Sequence, residues 1–217
     1  MKFDQSAAET KSSQMREAAM KARRSVSTLS TGIINDVLEA FAQVTPPQEP
    51  ELTIGLVTIS SLYTSPQAQS RKPGNVLLNW RKLIDIVPDV SLAGLGAATL
   101  PVAPGWSIVL AGLYIWSKVS RSSTEVFSDI EAIVILAFWK NKNSDNKIPE
   151  AEEFTRANEL RASYSLQPLT HGQYASAVDR LTTIDCLELE DGIIWLREWV
   201  RSNIASHRFT VAHIPDF

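Results

Sequence analysis

Cysteine is almost missing from this sequence, and its first residues do not resemble a secretion signal. The single cysteine, Cys186, cannot form an internal disulfide, so a reducing compartment is the simplest setting for the chain. The segment Met1–Arg24 alternates polar and small residues and has no apolar core of the kind that signal peptides need. The sequence therefore predicts a cytoplasmic protein without disulfides.

The common catalytic motifs are missing as well. The chain has no Gly-x-x-x-x-Gly-Lys phosphate loop, no His-Glu-x-x-His zinc motif and no Gly-x-Ser-x-Gly nucleophile elbow. Its three histidines are irregularly spaced, which is not typical of a metal site: His171, His207 and His213. We expect no catalytic residue, no cofactor and no metal, and hence a non-enzymatic protein. An enzyme whose site is assembled from distant parts of the chain stays open as an alternative.

Charge is modest in total but unevenly distributed. The 217 residues carry a net charge of −3 and are 44% hydrophobic, which is ordinary for a globular protein with a real core. Residues 61–125 have six Lys or Arg against three Asp or Glu, whereas residues 126–217 have nine against fourteen. The C-terminal part is therefore acidic, and bulk charge does not attract it to nucleic acid.

Residues 1–125 are predicted to form a helical region. Apolar residues at spacings of three and four predict one amphipathic helix over Lys11–Val44, bent at Gly32, with a basic polar side early on. The Pro-rich stretch near residues 45–50 reads as a linker. Leu52–Tyr63 fits either a strand or a helix, and a further helix is predicted over Asn75–Ile86.

The stretch Val90–Ser117 contains no charged residue at all. Pro101 and Pro104 divide it into two pieces, each too short to cross a bilayer as a helix. Recurring glycines favour a tightly packed apolar helical hairpin buried in the protein core. The alternative is a membrane-inserted hairpin, because basic residues flank the stretch on both sides.

The C-terminal third has the clearest local signals. Ser128-x-x-Glu131 and Thr170-x-x-Gln173 are capping boxes that predict the starts of two helices. Between these two helices, Pro149 and a cluster of acidic residues predict another helix that begins at Pro149 and runs to about Tyr164. Two apolar runs joined by Asp191-Gly192 predict a β-hairpin, and a last helix is predicted over Arg197–Ile204.

Three helices followed by a hairpin resemble a winged helix-turn-helix module, over roughly residues 126–205. The resemblance rests on the capped third helix, on Val178-x-x-Leu181 as core positions and on the Asp191-Gly192 wing. The predicted fold class is thus mainly α: a helical region over 1–125 with the buried hairpin at 90–117, then a winged-helix-like α+β module and tail over 126–217. We find no family resemblance for the first 125 residues.

A winged helix that binds DNA places its third helix in the major groove and its wing on the backbone, with Lys and Arg on the phosphates. Here the wing carries Glu188, Glu190 and Asp191, which disfavours that contact. We therefore expect an accessory subunit of a larger, bacterial assembly, which binds a protein partner or itself through Glu188, Glu190 and Trp199. The alternatives are a membrane-associated protein using Val90–Ser117 and a DNA-binding regulator, whose contacts would be His171, Arg180, Arg16, Arg23 and Arg24.

Overall fold

The computed structural model describes residues 5–45, 75–87, 103–120, 126–203 and 209–210. These residues form a mainly helical protein with two small antiparallel sheets. Four parts of the sequence analysis lie outside the described residues: the proline-containing segment 46–50, the ambiguous Leu52–Tyr63, residues 88–102 with the first half of the apolar hairpin, and the tail histidines His207 and His213.

The first amphipathic segment forms two helices, so the prediction of one bent helix is wrong. Helix α1 spans Gln5–Ser25 and helix α2 spans Thr31–Phe41. The break falls before Gly32, because the Ser30 side chain accepts a hydrogen bond from the Ile33 amide (3.2 Å) and caps the second helix. After α2 the chain continues directly as strand β1, Ala42–Thr45.

The predicted helix over Asn75–Ile86 is a strand in its first half. Strand β2 spans Asn75–Asn79, and helix α3 begins at Trp80 and ends at Asp85, with the Asn79 side chain accepting from the Lys82 amide (3.3 Å). The predicted last helix is also wrong, because the chain forms strand β6 at Trp199–Asn203. Strand β2 pairs with β1 on one side and with β6 on the other. Backbone pairing across the sheet overrides the local helical pattern in both places.

Helix α4, Gly105–Ser120, lies in the middle of the core. All of its residues except Trp106 and Lys118 are buried, and it packs against α1, α2, α3 and the next helix, α5 at Asp129–Asn141. The prediction of a buried apolar element is confirmed for this second half of the hairpin. Among the described residues, no helix is both long and apolar enough to cross a membrane.

From α5 to the β-hairpin, the C-terminal elements follow the order predicted for them, with one strand added. That added strand, β3, precedes the second helix, and Pro149 is its last residue, so Pro149 flanks the helix instead of beginning it. Strand β3 (Lys147–Pro149) pairs with β5 (Ile193–Leu196), which also pairs with β4 (Leu187–Glu190), giving a three-stranded antiparallel sheet. The elements after α5 are β3 (Lys147–Pro149), α6 (Glu150–Ser163), α7 (His171–Thr183), β4 (Leu187–Glu190), β5 (Ile193–Leu196), β6 and β7 (Phe209–Thr210).

Candidate interaction surface

Two capping boxes fix where α5 and α7 begin. The Glu131 carboxylate accepts from the Ser128 amide and hydroxyl (both 2.8 Å), and the Gln173 side chain accepts from the Thr170 amide (3.0 Å). Each pair satisfies backbone donors that a helix start otherwise leaves unpaired. Both predicted capping boxes are confirmed.

The hairpin between β4 and β5 turns at Asp191 and Gly192. Both residues have positive φ angles, 51° and 71°, as the two-residue turns typical of right-twisted hairpins require. The Gly192 carbonyl also accepts a hydrogen bond from the Glu150 amide (2.9 Å), which ties the turn to the start of α6. The predicted hairpin is confirmed, and its turn is anchored.

The end of this hairpin exposes apolar and acidic side chains together. We call Leu189–Ile193 the hairpin tip. Leu189 and Ile193 are 42% and 39% exposed, although both are large aliphatic residues, and Glu190 and Asp191 are exposed beside them. The strand register places Ile193 beside Glu190 on the outer face of the hairpin and Leu189 on the opposite face, beside the buried Ile194.

Glu188, in contrast, is already paired within the sheet. Its carboxylate accepts hydrogen bonds from the Trp195 indole and from the Arg197 guanidinium (Nε to Oε1, 2.7 Å). Trp195 lies half-buried on the outer face of the sheet, opposite Glu188. On its other side, Lys147 places its ammonium 4.8 Å from the ring centroid. Glu190 and Asp191 are therefore the two acidic side chains of the wing that are exposed at its surface.

Arg180 is the only Lys or Arg in α7, and its side chain is engaged within the protein. It forms an ion pair with the fully buried Glu131 and donates to the Val126 carbonyl (3.2 Å). His171 is exposed at the start of the same helix, with its ring 4.1 Å from that of Phe154.

The N-terminal arginines lie on another element. Arg16 donates to the Asn35 side chain and Arg23 to that of Thr31, both at 3.0 Å, so both connect α1 to α2. Arg24 is exposed at the end of α1. Trp199 begins β6 opposite Asn79, and its side chain lies outside the described residues. The structure thus brings Glu188 and Glu190 together on one hairpin, whereas the basic candidates are spread over α1 and α7.

Sequence reasoning missed a buried carboxyl group. Glu153, in the first turn of α6, is fully buried; its oxygens make no well-formed hydrogen bond among the described residues, and the Tyr174 hydroxyl is the polar group close enough to act on its carboxyl. Burial raises the pKa of Glu153 to about 8; the Tyr174 hydroxyl opposes that shift and the Glu150 charge adds to it. The spacing of Glu153, Ala157 and Arg161, all on the buried face, is the signal that was available.

Two further expectations concern metals and nucleophiles. Within the described ranges, no three His, Cys, Asp or Glu side chains are grouped as a metal ion would need. Cys186 is fully buried, and burial raises the pKa of its thiol well above the ordinary value, which disfavours the reactive thiolate.

No protein-family model, no curated protein and no solved structure matches the chain.

Proposed function

We propose that the chain is a non-enzymatic interaction subunit whose region from Ser128 to Leu196 is a winged-helix module that contacts a protein partner. The order helix, strand, helix, helix, hairpin supports the winged-helix assignment. So does a three-stranded sheet in which β3 lies beside β5. Because a fold alone does not specify function, the choice of partner has to come from the surface.

The hairpin tip is the observation that carries this proposal. At the position where a DNA-reading wing needs cations, the tip presents two acidic side chains flanked by exposed Leu189 and Ile193. An acidic and apolar surface complements a protein surface with Lys or Arg around an apolar patch, and it repels phosphate.

The edge of the sheet indicates how such a partner could bind. The Cys186 carbonyl accepts from the Arg197 amide (3.0 Å), so in the alternating antiparallel ladder Glu188 and Glu190 also bond towards β5. The backbone groups of Leu189 consequently point to the outer edge of β4, where no described strand pairs. We infer that the partner offers an extended basic and apolar segment to this edge.

The experiment is capture of soluble proteins from source-cell lysate on the immobilised full-length chain, compared among three forms. These are the wild type, the double variant Leu189→Asp with Glu190→Lys, and Glu159→Lys as the matched control. Glu159 is an exposed acid on α6, nine residues beyond Glu150, which corresponds to about 13 Å along a helix. We expect the wild type to capture one protein in stoichiometric amount, and the amount captured should fall as the salt concentration rises. The tip variant should capture at least about tenfold less of it, and the control variant should capture as much as the wild type. Equal capture by all three forms would refute the proposed surface.

DNA binding is the competing outcome, and it has its own probe. A mixed-sequence DNA duplex at low salt, followed by fluorescence anisotropy, tests it without a known operator. Arg24→Ala is a cleaner variant than Arg180→Ala, because loss of Arg180 also leaves the buried Glu131 unpaired. Tight duplex binding that Arg24→Ala weakens would replace the protein-partner proposal. Capture that disappears with detergent treatment of the lysate would instead favour the membrane-associated alternative.

A further inference from the structure

Glu153 is the most unusual ionisable group in the described structure. It is fully buried, its carboxyl oxygens make no well-formed hydrogen bond among the described residues, and the Tyr174 hydroxyl of α7 is the polar group close enough to act on them. A buried carboxylate in such surroundings is strongly disfavoured, whereas the neutral acid is tolerated. With a pKa of about 8, Glu153 is mainly protonated in the folded protein at neutral pH.

The surroundings of Glu153 join α6 to the first half of α7. The neighbouring Phe154 ring lies 4.1 Å from the His171 ring and meets the Tyr174 ring edge-on at 5.2 Å. The Tyr174 hydroxyl donates to the Glu150 carbonyl (3.4 Å), and the Glu150 amide in turn donates to Gly192 in the hairpin turn. One small cluster thus connects α6, α7 and the hairpin.

The charged groups of the neighbouring elements are engaged elsewhere. The charge of Glu150, which has the same sign as an ionised Glu153, adds to the raised pKa of Glu153. On α7 the nearby titratable groups are His171 and Tyr174. The remaining groups with defined partners are Asp129 of α5 with Arg161 of α6 (2.6 Å), Glu131 of α5 with Arg180 of α7, and Lys147 of β3 over the Trp195 ring.

We propose that Glu153 is a proton-operated latch between α6 and α7. Protonated, it keeps the start of α7 and the hairpin turn packed against α6. Ionised, it leaves the interior for water, and these segments separate locally while the α4 core stays folded.

The direction of the pH dependence follows from linkage. The pKa of Glu153 is raised in the packed state above the ordinary value of 4.5. The stabilising effect of a raised acid pKa is complete below the ordinary value and is lost as pH rises through the folded-state value. The opening equilibrium constant therefore increases by up to about tenfold per pH unit between the two pKa values and levels off above about pH 8.

Amide hydrogen exchange on the full-length protein, corrected for the intrinsic pH effect on exchange, tests the latch at pH 6, 7, 8 and 9. In the wild type we expect protection over 171–178 to fall by about fiftyfold between pH 6 and 8 and to change little above pH 8. Glu153→Gln keeps the shape and removes the charge, so its protection should be independent of pH. His171→Gln is the control for histidine titration and should retain the wild-type dependence.

Two results would overturn the proposal. If Glu153→Gln keeps the wild-type pH dependence, another group causes it. If protection over 106–117 in α4 falls in step with that over 171–178, Glu153 governs global stability and no local latch exists. Should Glu153→Gln not fold, Glu153→Met fills the apolar site without a charge and must show the same loss of pH dependence.

Discussion

Glu131 is a fully buried acid that two partners keep in place, which distinguishes it from Glu153. One carboxylate oxygen accepts from the amide and the hydroxyl of Ser128, and the other forms the ion pair with Arg180. A buried carboxylate is tolerated when hydrogen-bond donors and a cation compensate its charge, and it becomes costly when one of these partners is removed. The two acids therefore have different roles. Glu131 stabilises the start of α5 as a carboxylate, whereas Glu153 is compatible with its buried site when it is protonated.

Replacing Arg180 with Ala should therefore destabilise the protein even in the absence of any ligand. Removal of the guanidinium leaves the Glu131 oxygen unpaired in the interior, and we expect a loss of about 1–3 kcal/mol in the free energy of unfolding. The pair sits partly at the surface, since the Arg180 side chain is 41% exposed, which keeps the loss below that of a fully buried pair. Urea denaturation measures it.

Asp179→Ala is the matched control, because Asp179 is exposed on the same helix, one position earlier. It should change stability by less than about 0.5 kcal/mol. If both variants lost equally little stability, the ion pair with Glu131 would not hold Arg180 in place. Arg180 would then be available as a surface cation, and the DNA-binding alternative would gain support.

At the scale of elements, α4 and its neighbours show how closely the helices approach. An added Cβ at Gly112 would lie 2.3 Å from the Leu83 Cδ2 and 3.1 Å from the Trp80 ring, so α3 packs directly on the α4 backbone. Trp80 in turn stacks on Trp116 (5.6 Å between centroids) and contacts Phe41 (4.7 Å). Here glycine is needed for space and not for backbone flexibility.

Gly112→Ala should consequently destabilise the protein, although alanine favours helices. We expect a loss of about 1–3 kcal/mol, because Leu83 and Trp80 must move to accommodate one methyl group. Gly172→Ala in α7 is the matched change, since its added Cβ meets nothing within 4 Å. That variant should be neutral or more stable by up to about 1 kcal/mol. Thermal melting of both variants compares them, and a stable Gly112→Ala would show that α3 does not pack on α4 as described.

Strand β2 shows where element prediction from sequence fails. The stretch Asn75–Ile86 has apolar spacing compatible with a helix, and its second half is one, but Asn75–Asn79 lies between β1 and β6. Its partner β6 comes more than 100 residues later, and that segment too was predicted as a helix. A pattern confined to a short window carries no information about such a distant partner.

For the whole molecule, the predicted division at residue 125 stays a prediction, but the contacts across it are extensive. Helix α4 packs on α5, and β2 pairs with β6. The Trp116 indole also donates to the Ile184 carbonyl (3.0 Å), which joins α4 to the end of α7. Residues from both sides of the division contribute to one hydrophobic core.

We expect the chain to unfold in a single cooperative transition at pH 7. Tryptophan residues lie on both sides of residue 125, so tryptophan fluorescence reports the unfolding of both parts of the chain. Urea unfolding curves from fluorescence and from far-ultraviolet circular dichroism should coincide. Trp116→Phe should shift both curves together to lower urea, because Ile184 loses its hydrogen-bond donor. Two separated transitions would show instead that residues 1–125 and 126–217 fold as independent domains.

The sequence by itself determined the elements whose signals are local: the two capping boxes, the Asp191-Gly192 hairpin and the buried character of α4. Each depends on residues within a few positions of one another, so short-range hydrogen bonding and hydrophobic spacing decide them. Only the tertiary structure decided that Glu153 is buried, that Arg180 and Glu188 are paired within the protein, and that β2 and β6 are strands. Those outcomes depend on partners distant in sequence, and the free energy of burial and pairing there outweighs local preference.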